Sequence, residues 1–87
     1  MATTWNKMLK EICEKDGEEF ANLKVFVEKD GGMDKPFDNG FGGSEGPSFT
    51  AWGEKWVYFP IVYDGAEWIG HAPRNPCEIA MDHQGGE

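Results

Sequence analysis

The residues best suited to metal or acid–base chemistry lie near the carboxyl end of the chain. His71, Cys77 and His83 are evenly spaced, and Asp82 precedes the last of them. Zinc sites usually contain closely spaced pairs such as CxxC or HxxxH, which this arrangement lacks. We therefore expect no metal site here. We interpret His71 as the end of a strand and His83 as part of a flexible tail at 82–87.

Three aspartates, Asp30, Asp34 and Asp38, recur every four residues in a glycine-rich segment. An EF-hand loop requires acidic groups at positions 1, 3 and 5, glycine at 6 and glutamate at 12, and this segment does not follow that pattern. Its glycines also match neither a P-loop nor a dinucleotide-binding fingerprint. The sequence therefore predicts no bound cofactor.

Nucleophilic catalysis has few candidates. Cys13 falls on the apolar side of a predicted helix, and no feature of the sequence brings Cys77 to His71 or His83. With only two cysteines, far apart, we expect free thiols and a cytoplasmic protein rather than a disulfide framework. We see neither a signal peptide nor a membrane-spanning segment. The interpretation is a protein that is not an enzyme.

The chain is acidic, with 16 Asp and Glu against 8 Lys and Arg, and a net charge of −8. Direct nucleic-acid binding is not expected, because phosphate contacts require a basic surface. Carboxylates could instead occupy a basic cleft that normally holds nucleic acid, or they could serve solubility alone. The acidic stripe in the first hypothesis comprises Glu11, Glu14 and Glu18, joined by Glu19, Glu28, Asp30, Asp34 and Asp38.

The elements that position these residues begin with an amphipathic helix. After possible caps at Thr3 and Thr4, apolar residues recur with the spacing of one helix face, and Asp16-Gly17 is a natural end. That apolar stripe comprises Trp5, Met8, Leu9, Ile12 and Cys13. We expect a short turn at 18–22 to follow.

Strands are predicted at 23–28, 49–52, 55–63 and 66–71, with a hairpin turn at Asp64-Gly65. Pro60 has no N–H to donate to a ladder, so we expect a bulge or break in the long strand. Between the first two strands, the glycine-rich loop 29–47 is predicted to be partly ordered by Met33, Phe37 and Phe41.

The predicted fold is a single α+β domain over 1–87, an N-terminal amphipathic helix packed on a three- to four-stranded, mainly antiparallel β-meander. Both faces of the long strand are apolar, so the helix covers only one. Loop and tail, a second subunit of a homodimer, or a binding partner would cover the other.

The run WVYFPIVYDGAEWIGHAPRNP, with the preceding GPSFTAW and the closing HQGG, resembles small acidic proteins of tailed bacteriophages and prophages. The opening TTWNKMLKEI is compatible with that group. Compact phage proteins of this kind bind and block host enzymes or defence systems, including CRISPR and restriction systems. The resemblance therefore implies inhibition of a host protein in the host cytoplasm, and it assigns no site residues.

The function predicted from the sequence is non-enzymatic binding and inhibition of a host protein. The interface would combine aromatic anchors with an acidic rim. The anchors are Trp52, Trp56, Tyr58 and Trp68, and the rim residues are Glu28, Asp30, Asp34 and Asp38. The alternatives are a binder of nucleotide-like small ligands, with Tyr63 stacking and Arg74 holding a phosphate or carboxylate, and a structural or assembly protein.

Overall fold

The structure, a computed structural model, describes residues 2–28, 31–38, 46–63 and 66–84. These residues contain one α-helix, α1 (Trp5–Asp16), and two short 3-10 turns, Phe20–Asn22 and Gly32–Asp34. They also contain six strands: β1 (Ala2–Thr3), β2 (Lys24–Val27), β3 (Phe37–Asp38), β4 (Phe49–Trp52), β5 (Trp56–Tyr63) and β6 (Ala66–Pro73).

Helix α1 begins and ends where the sequence predicts. Thr4 is the N-cap, and its side-chain oxygen accepts a hydrogen bond from the Lys7 N–H at 3.1 Å. Gly17 adopts the left-handed conformation, with φ of 75°, and ends the helix against the Cys13 carbonyl. The buried side chains of the helix, Trp5, Leu9 and Cys13, lie on the predicted apolar stripe.

The main sheet has the order β2-β4-β5-β6, and every pair in it is antiparallel. The predicted α+β fold, with an N-terminal helix packed on a four-stranded antiparallel sheet, is confirmed. The predicted turn residues Asp64 and Gly65 lie outside the described residues, but Tyr63 pairs with Ala66 on either side of them. A two-stranded ribbon of β1 and β3, which the sequence did not predict, stands apart from this sheet.

The expected bulge at Pro60 was wrong. β5 and β6 pair without interruption from Trp56↔Pro73 to Tyr63↔Ala66, with Pro60 opposite Ile69. The Gly53 N–H donates to the Trp56 carbonyl, so the backbone groups of Trp56 and, by alternation, Pro60 point toward β4. β4 pairs with β5 only as far as Tyr58, so Pro60 lacks an N–H at a place where no ladder bond is formed.

The core lies between α1 and one face of the sheet. Phe49, Ala51, Tyr58 and Ile69 point from the strands toward the buried side of the helix. Met33 and Phe37 complete this core, so the prediction that they order part of loop 29–47 is confirmed. Phe41, the third predicted anchor of the loop, lies outside the described residues.

Trp5 is the central side chain of this core and is completely buried. Its ring lies 4.7 Å from Phe37 and 5.1 Å from Phe49, measured between ring centroids. Its Nε1–H donates to the Pro47 carbonyl at 2.9 Å. A Cβ on Gly46 would stand 2.6 Å from the indole, so only glycine fits there without displacement.

We expect Trp5→Ala to lower the free energy of unfolding by about 3–5 kcal/mol, the usual loss for a buried aromatic side chain. Trp5→Phe leaves the Pro47 carbonyl without its donor, but it keeps part of the ring. Its loss of unfolding free energy should therefore be smaller than that of Trp5→Ala. Urea denaturation of both variants measures the two losses. A loss below about 1 kcal/mol for Trp5→Ala would contradict the central place of this residue.

Candidate functional site

The face of the sheet opposite α1, here called the outer face, carries a continuous band of apolar side chains. Side chains of paired residues lie on the same side of a sheet, so the register identifies the members of the band. They are Phe26, Trp52, Val57, Phe59, Ile61 and Trp68.

Phe26 and Trp52 are the exposed members of this band. Phe26 is 72% exposed and Trp52 is 37% exposed. Lys24 pairs with Trp52 and Phe26 with Thr50, so the two aromatic residues are diagonal neighbours on adjacent strands. Together they form an exposed aromatic pair, a type of surface that is enriched at protein interfaces.

Gly70 leaves room for the side chains in the middle of the band. A Cβ at this position would come 2.8 Å from Cγ2 of Ile61 and 2.9 Å from Cε1 of Phe59. Both side chains therefore occupy the space above β6 that a larger residue would fill. The close approach explains why glycine stands in the middle of a paired strand.

The predicted aromatic anchors do not form one cluster. Trp52 and Trp68 lie on the outer face, whereas Trp56 and Tyr58 point toward the helix. Tyr58 is completely buried, so its prediction as a surface anchor was wrong. Trp56 is half-buried and stacks on His71, with ring centroids 4.4 Å apart.

A polar cluster lies at the carboxyl end of α1, and it centres on Asp16. One oxygen of its carboxylate, Oδ2, accepts a hydrogen bond from the Tyr58 hydroxyl at 3.1 Å and lies 2.7 Å from His71 Nδ1. His71 therefore does not end a strand as predicted, but lies within β6 opposite Tyr58. The cluster joins the helix to two neighbouring strands through one oxygen atom.

Burial raises the pKa of two groups near Asp16, the Cys13 thiol and the Tyr58 hydroxyl. It raises the pKa of the Cys13 thiol, against the lowering effect of a hydrogen bond with Tyr58 and with a further increase from Glu18 and Asp16. Burial is also the main reason that the pKa of Tyr58 lies far above its usual range, with the charge of Asp16 adding to it. Cys13 is therefore held as a thiol rather than as the thiolate that nucleophilic attack requires.

A cleft of about 300 Å³ opens beside this cluster, between α1 and β6. His71 lies at its wall with about a quarter of its side chain exposed. The lining combines apolar and charged groups: Met8, Ile12, Trp68 and Ile69 with Glu11, Lys15, Asp16 and His71. Trp68 thus borders this cleft as well as belonging to the outer band.

The predicted acidic stripe on α1 was wrong for Glu18. Because Gly17 ends the helix, Glu18 leaves the helical face and turns toward the β4–β5 connection. Its Oε2 accepts hydrogen bonds from the backbone N–H groups of Lys55 and Trp56, at 3.0 and 3.1 Å. Glu11 and Glu14 remain exposed on the helix.

The remaining predicted residues are dispersed. Glu28 and Asp34 are exposed, and Asp34 accepts a hydrogen bond from the Asn6 side chain. Arg74 donates to the Gly53 carbonyl at 2.9 Å, so its guanidinium already helps to hold the β4–β5 turn. Asp30 and the side chains of Asp38 and Tyr63 lie outside the described residues.

Sequence reasoning missed Phe26 and Asp16. In the predicted strand 23–28, Phe26 shares a face with the charged residues Lys24 and Glu28, and that pattern indicates an exposed face. Asp16 gave no such signal, because its role depends on Tyr58 and His71, which are distant in the sequence.

We expect Asp16 and Tyr58 to be energetically coupled. Asp16→Ala removes the carboxylate that accepts the hydrogen bond of the buried Tyr58 hydroxyl and should cost about 1–3 kcal/mol of unfolding free energy. Tyr58→Phe removes the donor and should cost about 1 kcal/mol. The double variant should lose less unfolding free energy than the sum of the two single losses, by at least about 0.5 kcal/mol.

Chemical denaturation of the four proteins in this cycle measures the coupling. Glu14→Ala, an exposed acid on the same helix, serves as the control and should change stability by less than about 0.5 kcal/mol. Additive losses would show that the hydrogen bond between Asp16 and Tyr58 contributes nothing measurable.

The two cysteines should differ sharply in alkylation rate. Both are free, with Cys13 buried and Cys77 exposed. At pH 8 without reductant, iodoacetamide should modify Cys77 on the order of a hundredfold faster, because Cys13 is covered and its pKa is raised. In urea, mass spectrometry should show both modified. Equal rates in the native protein would contradict the burial of Cys13.

Comparison with known proteins identifies no relative: no protein-family model, curated protein or solved structure matches the chain. Among the described residues, no helix is both long and apolar enough to cross a membrane. Within the same part of the chain, no group of three or more His, Cys, Asp or Glu side chains is arranged to hold a metal ion. The geometry of the outer face and the charge of the chain are therefore the basis for a functional proposal.

Proposed function

We propose that this chain is a non-enzymatic binding protein that attaches to a protein partner through the outer face of its sheet. The biological role in this proposal is that of a phage-encoded inhibitor, which binds a host defence or nucleic-acid-processing protein and blocks it. That role is supported by the sequence resemblance, and the mode of attachment is supported by the structure's exposed aromatic pair.

The observation that carries the proposal is the position of Phe26 and Trp52. Two large aromatic side chains lie side by side on an open sheet face, and Phe26 is 72% exposed. Burial of one such ring against a partner contributes about 2–3 kcal/mol. Aromatic residues of this kind often dominate the binding energy of an interface, while the surrounding contacts exclude water.

Exposed carboxylates supply the second part of the proposed interface. Glu28 directly follows β2, two residues after Phe26, and Glu54 lies just beyond Trp52 in the β4–β5 turn; both are exposed. Of the other predicted rim residues, Asp34 accepts a hydrogen bond from Asn6 of α1 and so lies on the helix side, away from the outer face, and Asp30 and the side chain of Asp38 lie outside the described residues. With a net charge of −8, the chain should be steered toward a basic surface, such as a cleft that holds nucleic acid.

The test is affinity capture from a bacterial lysate with three baits: the natural chain, the double variant Phe26→Ser/Trp52→Ser, and the control Ile79→Ser. Ile79 is 51% exposed but lies outside the sheet. We expect one protein whose recovery falls at least about tenfold with the double variant and stays unchanged with the control. Quantitative mass spectrometry of the eluates measures the recoveries.

The captured protein is then purified, and its association rate and activity are measured between low and high salt. Association should slow as salt rises, because screening removes the attraction between the acidic chain and a basic partner. The partner's activity should fall when the chain binds. Equal recovery with all three baits, or a bound partner with unchanged activity, would overturn the proposal.

A further inference from the structure

Strand β2 forms one edge of the main sheet. Within the described residues, β4 is its only neighbour. The Glu28 N–H donates to the Ser48 carbonyl at 3.0 Å, so by alternation the backbone groups of Lys24 and Phe26 also point toward β4. The N–H and C=O groups of Val25 and Val27 therefore point away from the sheet. They are placed to pair with another strand.

The sequence of this edge is complementary to itself. Residues 24–28 read Lys-Val-Phe-Val-Glu, with opposite charges at the ends, valines inside them and phenylalanine at the centre. When two copies lie antiparallel with Phe26 opposite Phe26, each lysine faces a glutamate and each Val25 faces a Val27. Opposite charges in directly facing positions stabilise a strand pair, and like charges destabilise it.

We propose that the chain forms a symmetric dimer in which β2 pairs antiparallel with β2 of a second copy, about a twofold axis at Phe26. Val25 exchanges two hydrogen bonds with Val27 of the partner subunit, and symmetry repeats the exchange. The two sheets become one sheet of eight strands, four from each copy.

The outward backbone groups and the side chains require the same register. Val25 and Val27 are the residues with outward N–H groups, and this alignment makes them the hydrogen-bonded pairs. Phe26 then occupies the non-hydrogen-bonded position, where facing side chains approach most closely. A shift by one residue would turn every side chain to the opposite face. A shift by two would separate both the phenylalanines and the charge pairs.

The dimer brings Phe26, the most exposed of the large hydrophobic side chains recorded for the described residues, against its own copy, and leaves the outer face of both rings open. On the outer face it aligns Trp52, Phe26 and the same two residues of the second copy in one aromatic row. The inference goes beyond the proposed function and does not rest on it, because it concerns the chain alone and needs no other protein.

Sedimentation equilibrium of the purified chain over a range of concentrations, at low salt, tests the dimer. We expect a transition from monomer to dimer in the natural chain. Lys24→Glu or Glu28→Lys each replaces two attractive pairs with two repulsive ones, so either variant should raise the dissociation constant roughly thirtyfold. The double variant Lys24→Glu/Glu28→Lys exchanges the charges and should restore dimerisation.

An equimolar mixture of the two single variants provides the sharpest test. Neither should dimerise well alone, but a mixed dimer places acids at positions 24 and 28 of one copy against lysines in the other. The mixture should therefore sediment as a dimer. Ile79→Asp, which introduces a charge at an exposed apolar position outside the sheet, is the control and should leave the dissociation constant unchanged.

Two results would overturn the inference. The first is a natural chain that remains monomeric at the highest concentration measured. The second is a dimer whose dissociation constant does not respond to the charge changes, since its interface would then lie elsewhere. Thermal melting of each variant checks that it is folded, because Lys24 and Glu28 are exposed and their substitution should change the melting temperature little.

Discussion

The complete burial of the Trp5 indole is the interaction on which the architecture depends. The ring contacts a residue of the loop segment, Phe37, and a residue of the sheet, Phe49, and it donates a hydrogen bond to Pro47. A helix of twelve residues has little stability of its own in water. The helix α1 therefore depends on the contacts of Trp5 both for its stability and for its position on the sheet.

The other end of the helix is attached by polar groups rather than by apolar contact. Asp16 binds Tyr58 and contacts His71, and Glu18 accepts two N–H groups of the β4–β5 connection. These two carboxylates are part of the acidity of the chain, yet they stabilise its interior. The charge of an acidic protein is thus divided between internal attachment and a surface that can meet a partner.

Local patterns predicted most of the fold. The apolar stripe of α1, its end at Gly17 and the four main strands all follow from residues close together in the sequence. The failures involve distant residues. Alternation placed Tyr58 correctly on a face with Trp56, but it could not show that Asp16 lies above that face. Pro60 was misjudged because its effect depends on how far the neighbouring strand β4 pairs along β5, which the sequence of β5 does not contain.

The pairing of β4 with β5 stops at Tyr58 although β4 itself extends to Phe49, and this gives the hairpin of β5 and β6 two mechanically different halves. Near Tyr58 the hairpin belongs to a broad sheet, but from Phe59 to Tyr63 the only strand that pairs with β5 among the described residues is β6. What attaches that outer half is mainly side chains, namely buried Ile69 in the core and Glu67, which accepts a hydrogen bond from the Gly46 N–H. Two-stranded ribbons twist more strongly than wider sheets. This half of the hairpin therefore depends on side-chain contacts for its position in the domain, whereas the half near Tyr58 is bonded through its backbone to a strand on either side of β5.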